Sequence, residues 1–188
     1  MSAGGSGGFP RLSTAAGALL RRWVRWRREV RAETTIEAPF ERVWSLLTDL
    51  ASYPEWNRFM PRVTGDLRPG GVLRAEVRFR RGFLGLPFRF QAEVLGCDDC
   101  REIRWTGKLV SRRVLSGVHS LTLEPDTADK ADGADPAAAR VRLVHREELF
   151  GLLVPLVGWY LAPRMGEGFR EMNEAIRERA TAPPPAML

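Results

Sequence analysis

The chain has 188 residues, enough for one domain whose body of about 150 residues buries roughly 70% of its unfolded surface. Its 44% apolar and 28% charged content is that of an ordinary soluble protein. The net charge of +6 is uneven: residues 1–31 hold seven Arg against one Glu, and the remainder is balanced. A neutral body argues against nucleic-acid binding by the domain itself, because phosphate contacts need a concentrated cationic face.

Ser2 to Pro10 is Gly/Ser-rich and reads as disordered. Leu19 to Arg28 follows as a basic stretch with two Trp, so residues 1–28 are expected to form a disordered basic arm. The Arg cluster follows the short apolar run Ala15–Leu20 instead of preceding it, so no secretory signal is expected. A cytoplasmic location is expected, or an organellar one if the source is eukaryotic and the arm is a transit peptide. The longest apolar stretch, Leu149 to Pro163, is interrupted by Pro155 and too short to span a bilayer.

Alternation from Val30 to Ile36 predicts a half-buried strand. Pro39 suits a first helical turn, and Phe40, Val43, Trp44, Leu47 and Leu50 then share one helical face. Pro54 stops that helix, and the turn beyond it delivers Trp56 and Asn57. Strand patterns follow at 62–67, 72–80, 88–95, 102–109, 114–124 and 140–150. Cys97 and Cys100 flank a hairpin turn built on Asp98-Asp99, and one such pair is too few for a structural zinc site. A long helical face runs from Leu153 through Leu156, Val157, Tyr160, Leu161, Met165, Phe169, Met172 and Ile176 toward Ala180, with Pro163 inside it. Residues 181–188 read as a disordered tail.

The stretch TTIEAPFERVWSLLTDLASYPEWNRF at Thr34–Phe59, with REIRWTGKL, GVHSLTLEP, HREELFGLLVP and GFREMNEAIRERA, resembles the SRPBCC superfamily. These START-like proteins include the polyketide cyclase/dehydrase and lipid transport proteins, and the resemblance covers about residues 29–180. It implies an α+β helix-grip fold: a curved antiparallel sheet of about seven strands wraps a long C-terminal helix, with two short helices after strand 1. It also implies an internal cavity that binds a hydrophobic small molecule, a lipid or a polyketide-like compound. No cofactor is implied.

Inward parity assigns the cavity lining to Phe79, Phe88, Phe90, Trp105, Leu121 and Leu143 from the sheet, and to Tyr160, Met165 and Phe169 from the helix. His119 shares the parity of Leu121, and His145 and Glu147 share that of Leu143. If Leu121 pairs with Leu143, His119 lies opposite His145, with Glu147 one inward step further on. Three readings stay open for this trio: a hydrogen-bonded cluster that anchors a ligand's polar end, a general acid/base pair, or a metal site lacking a further ligand. The candidate catalytic residues of a cyclase/aromatase-like enzyme are therefore His119, His145 and Glu147. The loop 80–87 carries Phe83, Leu84 and Leu86 between basic flanks, and forms either a lid or, like the basic arm, a transient membrane contact. A protein-binding regulator would need a marked apolar patch outside the cavity, which the pattern does not provide.

Overall fold

A computed structural model describes residues 26–80, 87–108, 111, 113–126 and 140–183. The basic arm up to residue 25, the 81–86 segment with Phe83, Leu84 and Leu86, Leu109, and residues 184–188 lie outside the described residues. Among the described residues, no helix is long and apolar enough to cross a membrane.

The chain forms β1 (Arg27–Glu37), α1 (Phe40–Thr48), α2 (Tyr53–Trp56), β2 (Arg62–Gly65), β3 (Val72–Val77), β4 (Phe88–Asp98), β5 (Glu102–Lys108), β6 (Ser116–Pro125), β7 (Arg140–Phe150) and α3 (Val154–Thr181). The first strand thus starts two residues before the expected boundary at 29. One antiparallel seven-stranded sheet runs in the order β1-β7-β6-β5-β4-β3-β2. The meander β2 to β7 is closed at one edge by β1, so the earliest strand lies beside the latest. β4 carries an irregularity between Val94 and Gly96, where Leu95 is an extra residue relative to β5. The β4–β5 turn sits where the Asp-Asp pair predicts it, closed by Arg101 N–H donating to the Asp98 carbonyl at 2.9 Å. Cys100 adopts a positive φ of 56° in that turn, and both thiols are free.

The two short helices are tied together by side-chain bonds. Tyr53 Oη donates to the Leu47 carbonyl at 2.8 Å, which satisfies a carbonyl left over at the end of α1. Asn57 Oδ1 then accepts from the Met60 N–H at 2.8 Å, turning Phe59 and Met60 toward the interior. The Phe59 carbonyl accepts the Arg78 N–H at 2.8 Å, fastening this segment past the end of β3.

α3 lies across the inner face, and its placement follows from small residues that a search for large apolar side chains overlooks. Gly158, Ala162 and Gly166 recur every four residues and are buried. A Cβ on Gly166 would lie 3.7 Å from Val30, and one on Gly158 only 3.2 Å from Arg28, so this stripe presses on β1. The C-terminal half buries Phe169, Met172, Asn173 and Ile176 completely. Phe59 lies flat on the helix where Gly168 has no side chain; a Cβ there would fall 2.0 Å from its ring. Leu156, expected on the buried face, is 67% exposed. Glu76 of β3 is buried beneath Arg78 and Arg89, whose guanidinium groups hold its carboxyl below the usual carboxylate range.

Candidate functional site

Drawing α3 toward β1 leaves space beneath β3 to β6. A cavity of about 480 Å³ fills it, walled by Val77 and Phe79 at β3, Phe88 and Phe90 from β4, Trp105 and Gly107 from β5, and Leu115, Gly117 and His119 around β6. Glu147 and Leu149 of β7 and the N-terminal half of α3 complete the wall. Phe88 and Phe90 stack with centroids 5.7 Å apart, and Leu115, Leu149 and Val154 form a small apolar cluster at the opposite side. The volume lies within the range of ordinary small-molecule sites.

Of the expected lining residues, Phe79, Phe88, Phe90, Trp105, His119, Glu147, Tyr160, Met165 and Phe169 do face this space. Leu121, Leu143 and His145 do not. They point to the same side of the sheet but are fully buried in the core, where the C-terminal half of α3 covers them. Parity assigns a face, whereas position along the strand decides between cavity and core. Residues that the sequence does not mark as lining include Phe59 and Met60 after α2, Leu153 just before α3, and Val157 and Trp159 in the first turns of α3. Gly107 and Gly117 were missed because a glycine gives no hydrophobic signal.

The pairing of β6 with β7 differs from expectation by two residues. His119 lies opposite Glu147, Leu121 opposite His145 and Leu123 opposite Leu143. A two-residue shift keeps every side chain on its face, so alternation cannot detect it. His119 and His145 become diagonal neighbours, a separation that two ring side chains still bridge.

The result is a continuous buried chain of hydrogen bonds. Glu147 Oε2 and His119 Nδ1 are 2.8 Å apart, His119 Nε2 and His145 Nε2 are 2.9 Å apart, and His145 Nδ1 lies 3.1 Å from Asn173 Oδ1. Asn173 comes from α3, so the chain couples helix to sheet. Aromatic rings sandwich it: Trp105, paired with His119 across β5 and β6, stacks on that ring at 4.3 Å, and Phe169 stacks on His145 at 3.8 Å.

Burial dominates the electrostatics. Removal from water pushes the His119 pKa down to about 3 and lifts that of Glu147 up to about 8. His145 is depressed well below its usual value, first by burial and then by its neighbour His119. At neutral pH both rings are therefore uncharged and Glu147 carries its proton. With the two Nε2 atoms turned on each other at hydrogen-bond distance, the imidazoles are committed to one another. No cluster of three or more metal-ligating side chains occurs among the described residues.

Comparison with known proteins gives these features a family. The model of the family described as polyketide cyclase / dehydrase and lipid transport matches residues 27–180. The chain belongs to that family. Among curated proteins, none matches it in sequence.

Solved structures share the family's fold. The Zhui aromatase/cyclase from Streptomyces sp. R1128 superposes with a TM-score of 0.60 at 17% identity, covering 82% of this chain and 93% of that one. A START superfamily protein from Mycobacterium smegmatis gives 0.59 at 18% identity, over 81% and 96% of the two chains. The di-domain aromatase/cyclase BexL of the BE-7585A biosynthetic pathway gives 0.62 at 13% identity over 90% of this chain. The family member described here spans only 54% of that larger protein. At these identities the likeness concerns the fold, which hosts many functions.

Proposed function

We propose that this family member binds a hydrophobic small molecule, a lipid or a polyketide-like compound, in the cavity beneath β3 to β6, and carries it. One observation supports the reading above others: about 480 Å³ of space walled by apolar and aromatic side chains, with one buried polar chain reaching it at His119 and Glu147. The apolar walls supply affinity through area removed from water, at roughly 25 cal/mol per Å² before the costs of association. The polar pair fixes which end of the ligand enters. Trp159 and Leu156 line the cavity and are 65% and 67% exposed, so they form an apolar rim through which such a ligand would pass.

A fluorescent apolar dye tests this directly. Saturable binding at one dye per chain, lost when Val77→Trp or Leu149→Trp fills the cavity, supports the reading. Unsaturable or unchanged binding in the filled variants refutes it.

A second reading, a cyclase/aromatase-like enzyme, is favoured by the protonated Glu147 beside two neutral imidazoles, since a buried acid that holds its proton at pH 7 is poised for proton transfer. It requires turnover of a cyclisable polyketone substrate that disappears in His119→Ala and Glu147→Ala. In a carrier those variants reduce ligand retention alone.

A further inference from the structure

The hydrogen-bond chain has a direction, and its last atom faces the cavity. Asn173 Oδ1 can only accept, so His145 Nδ1 donates to it. A neutral imidazole has one N–H, so His145 Nε2 presents a lone pair and His119 Nε2 donates across the 2.9 Å gap. That uses the single N–H of His119, whose Nδ1 must therefore accept from Glu147 Oε2. Each bond then has one donor and one acceptor, and no group is charged. Moving the Glu147 proton onto His119 would create an ion pair inside an apolar wall, which desolvation opposes.

The remaining oxygen, Glu147 Oε1, is consequently a carbonyl oxygen and an acceptor. It lies over Gly117, where a Cβ would come within 1.9 Å of it, and Gly117 and Glu147 both line the cavity. Among the described residues nothing donates a hydrogen bond to Oε1, whereas Oε2 is engaged with His119.

We infer that the cavity takes an uncharged hydrophobic molecule with a hydroxyl at one end (an alcohol, phenol or enol) that donates to Glu147 Oε1. Gly117 and Asn173 set this preference, the first by leaving room for the carboxyl group and the second by fixing the direction of the chain. An ether or ketone in the same place sets acceptor against acceptor. A carboxylate adds an unpaired charge to a buried site. This inference rests on the binding reading above.

Three probes of one shape separate the possibilities on the full chain: 2-naphthol, 2-methoxynaphthalene and 2-naphthoate, titrated calorimetrically at pH 7. The naphthol should bind about tenfold more tightly than its methyl ether, the usual size of one net hydrogen bond, and the naphthoate more weakly than either. Glu147→Leu should bring naphthol and ether to equal affinity. Glu147→Gln should restore the difference, because its amide N–H donates to His119 Nδ1 and its carbonyl takes the place of Oε1. Gly117→Ala should erase the preference by displacing the carboxyl group. Asn173→Leu should bring the ratio toward one without weakening the ether, since the chain is then free to reverse.

Equal binding of naphthol and ether to the wild type overturns the inference while leaving the binding reading intact. So does a Glu147→Gln protein that behaves like Glu147→Leu. If none of the three probes binds, the binding reading falls and this inference with it.

Discussion

His119 Nε2 and His145 Nε2 lie 2.9 Å apart inside the sheet, so one ring holds the shared proton and the other accepts it. Both rings are depressed by burial, and the carboxyl group next in line is raised. The site is thus a run of neutral polar groups kept neutral by their surroundings. Its consequences can be measured in stability as well as in binding.

Stability should peak near pH 6.5. Glu147 keeps its proton in the folded state up to about pH 8, whereas an unfolded carboxyl releases it near 4.5. The folded state binds more protons between those values, so this contribution is full below 4.5 and is lost as pH rises toward 8. The two imidazoles act oppositely. The unfolded chain takes up their protons below about 6.5 and the folded chain does not, so their contribution is lost as pH falls from there. Thermal melts should show a net fall of about 1 kcal/mol between pH 6.5 and 8, the Glu147 loss at up to 1.36 kcal/mol per pH unit being partly offset by the last imidazole protons leaving the unfolded chain. Glu147→Gln should abolish the alkaline fall and keep the acid one. An alkaline limb that persists in Glu147→Gln would place its origin elsewhere.

Asn173 should be worth more than its own packing. Truncation to Ala leaves the His145 Nδ1–H buried with no acceptor, which costs about 1–3 kcal/mol. Replacing His145 by Phe removes the orphaned donor and keeps a ring against Phe169. Chemical denaturation of Asn173→Ala, His145→Phe and the double variant should therefore give a favourable coupling of about 1 kcal/mol or more. Strict additivity of the two changes would deny the bond.

Gly168→Ala should destabilise the protein although Ala is the better helix former by about 1 kcal/mol. The new methyl group falls on the Phe59 ring, and overpacking of this kind costs about 1–3 kcal/mol. In a Phe59→Ala background the same change should become stabilising. Paired denaturant titrations read the sign directly, and an unchanged sign contradicts the contact.

The rim predicts a kinetic effect without a thermodynamic one. Leu156→Ser and Trp159→Ser alter side chains that are mostly exposed, so stability should move by no more than about 0.5 kcal/mol. Both residues wall the cavity mouth, so a bound apolar dye should dissociate several-fold faster in stopped-flow mixing. Unchanged dissociation would put the exit elsewhere.

Much of this architecture is legible in the sequence, for identifiable reasons. Alternation at Arg140–Phe150 gives a strand with those limits, and it puts His145 and Glu147 on the inner face. The order of elements and the long closing helix follow from periodicity and from the Thr34–Phe59 segment. Strand register is not legible, because a shift by two residues preserves every face; only the structure sets His119 opposite Glu147. The small residues Gly158, Ala162 and Gly166 decide where α3 lies, and hence where the cavity opens, yet they carry no apolar signal. Asn173 left a trace that was readable. It stands on the face shared by Phe169, Met172 and Ile176, where a polar side chain needs an internal partner.

The central claim is that the space beneath β3 to β6 holds a hydrophobic molecule. Native mass spectrometry of protein purified without detergent, followed by solvent extraction of whatever is released, tests it most directly. The account predicts a discrete additional mass at one copy per chain, absent from a Val77→Trp variant, with the extract yielding an apolar compound. A wild-type protein that shows only its own mass, and behaves identically when the cavity is filled, would contradict it.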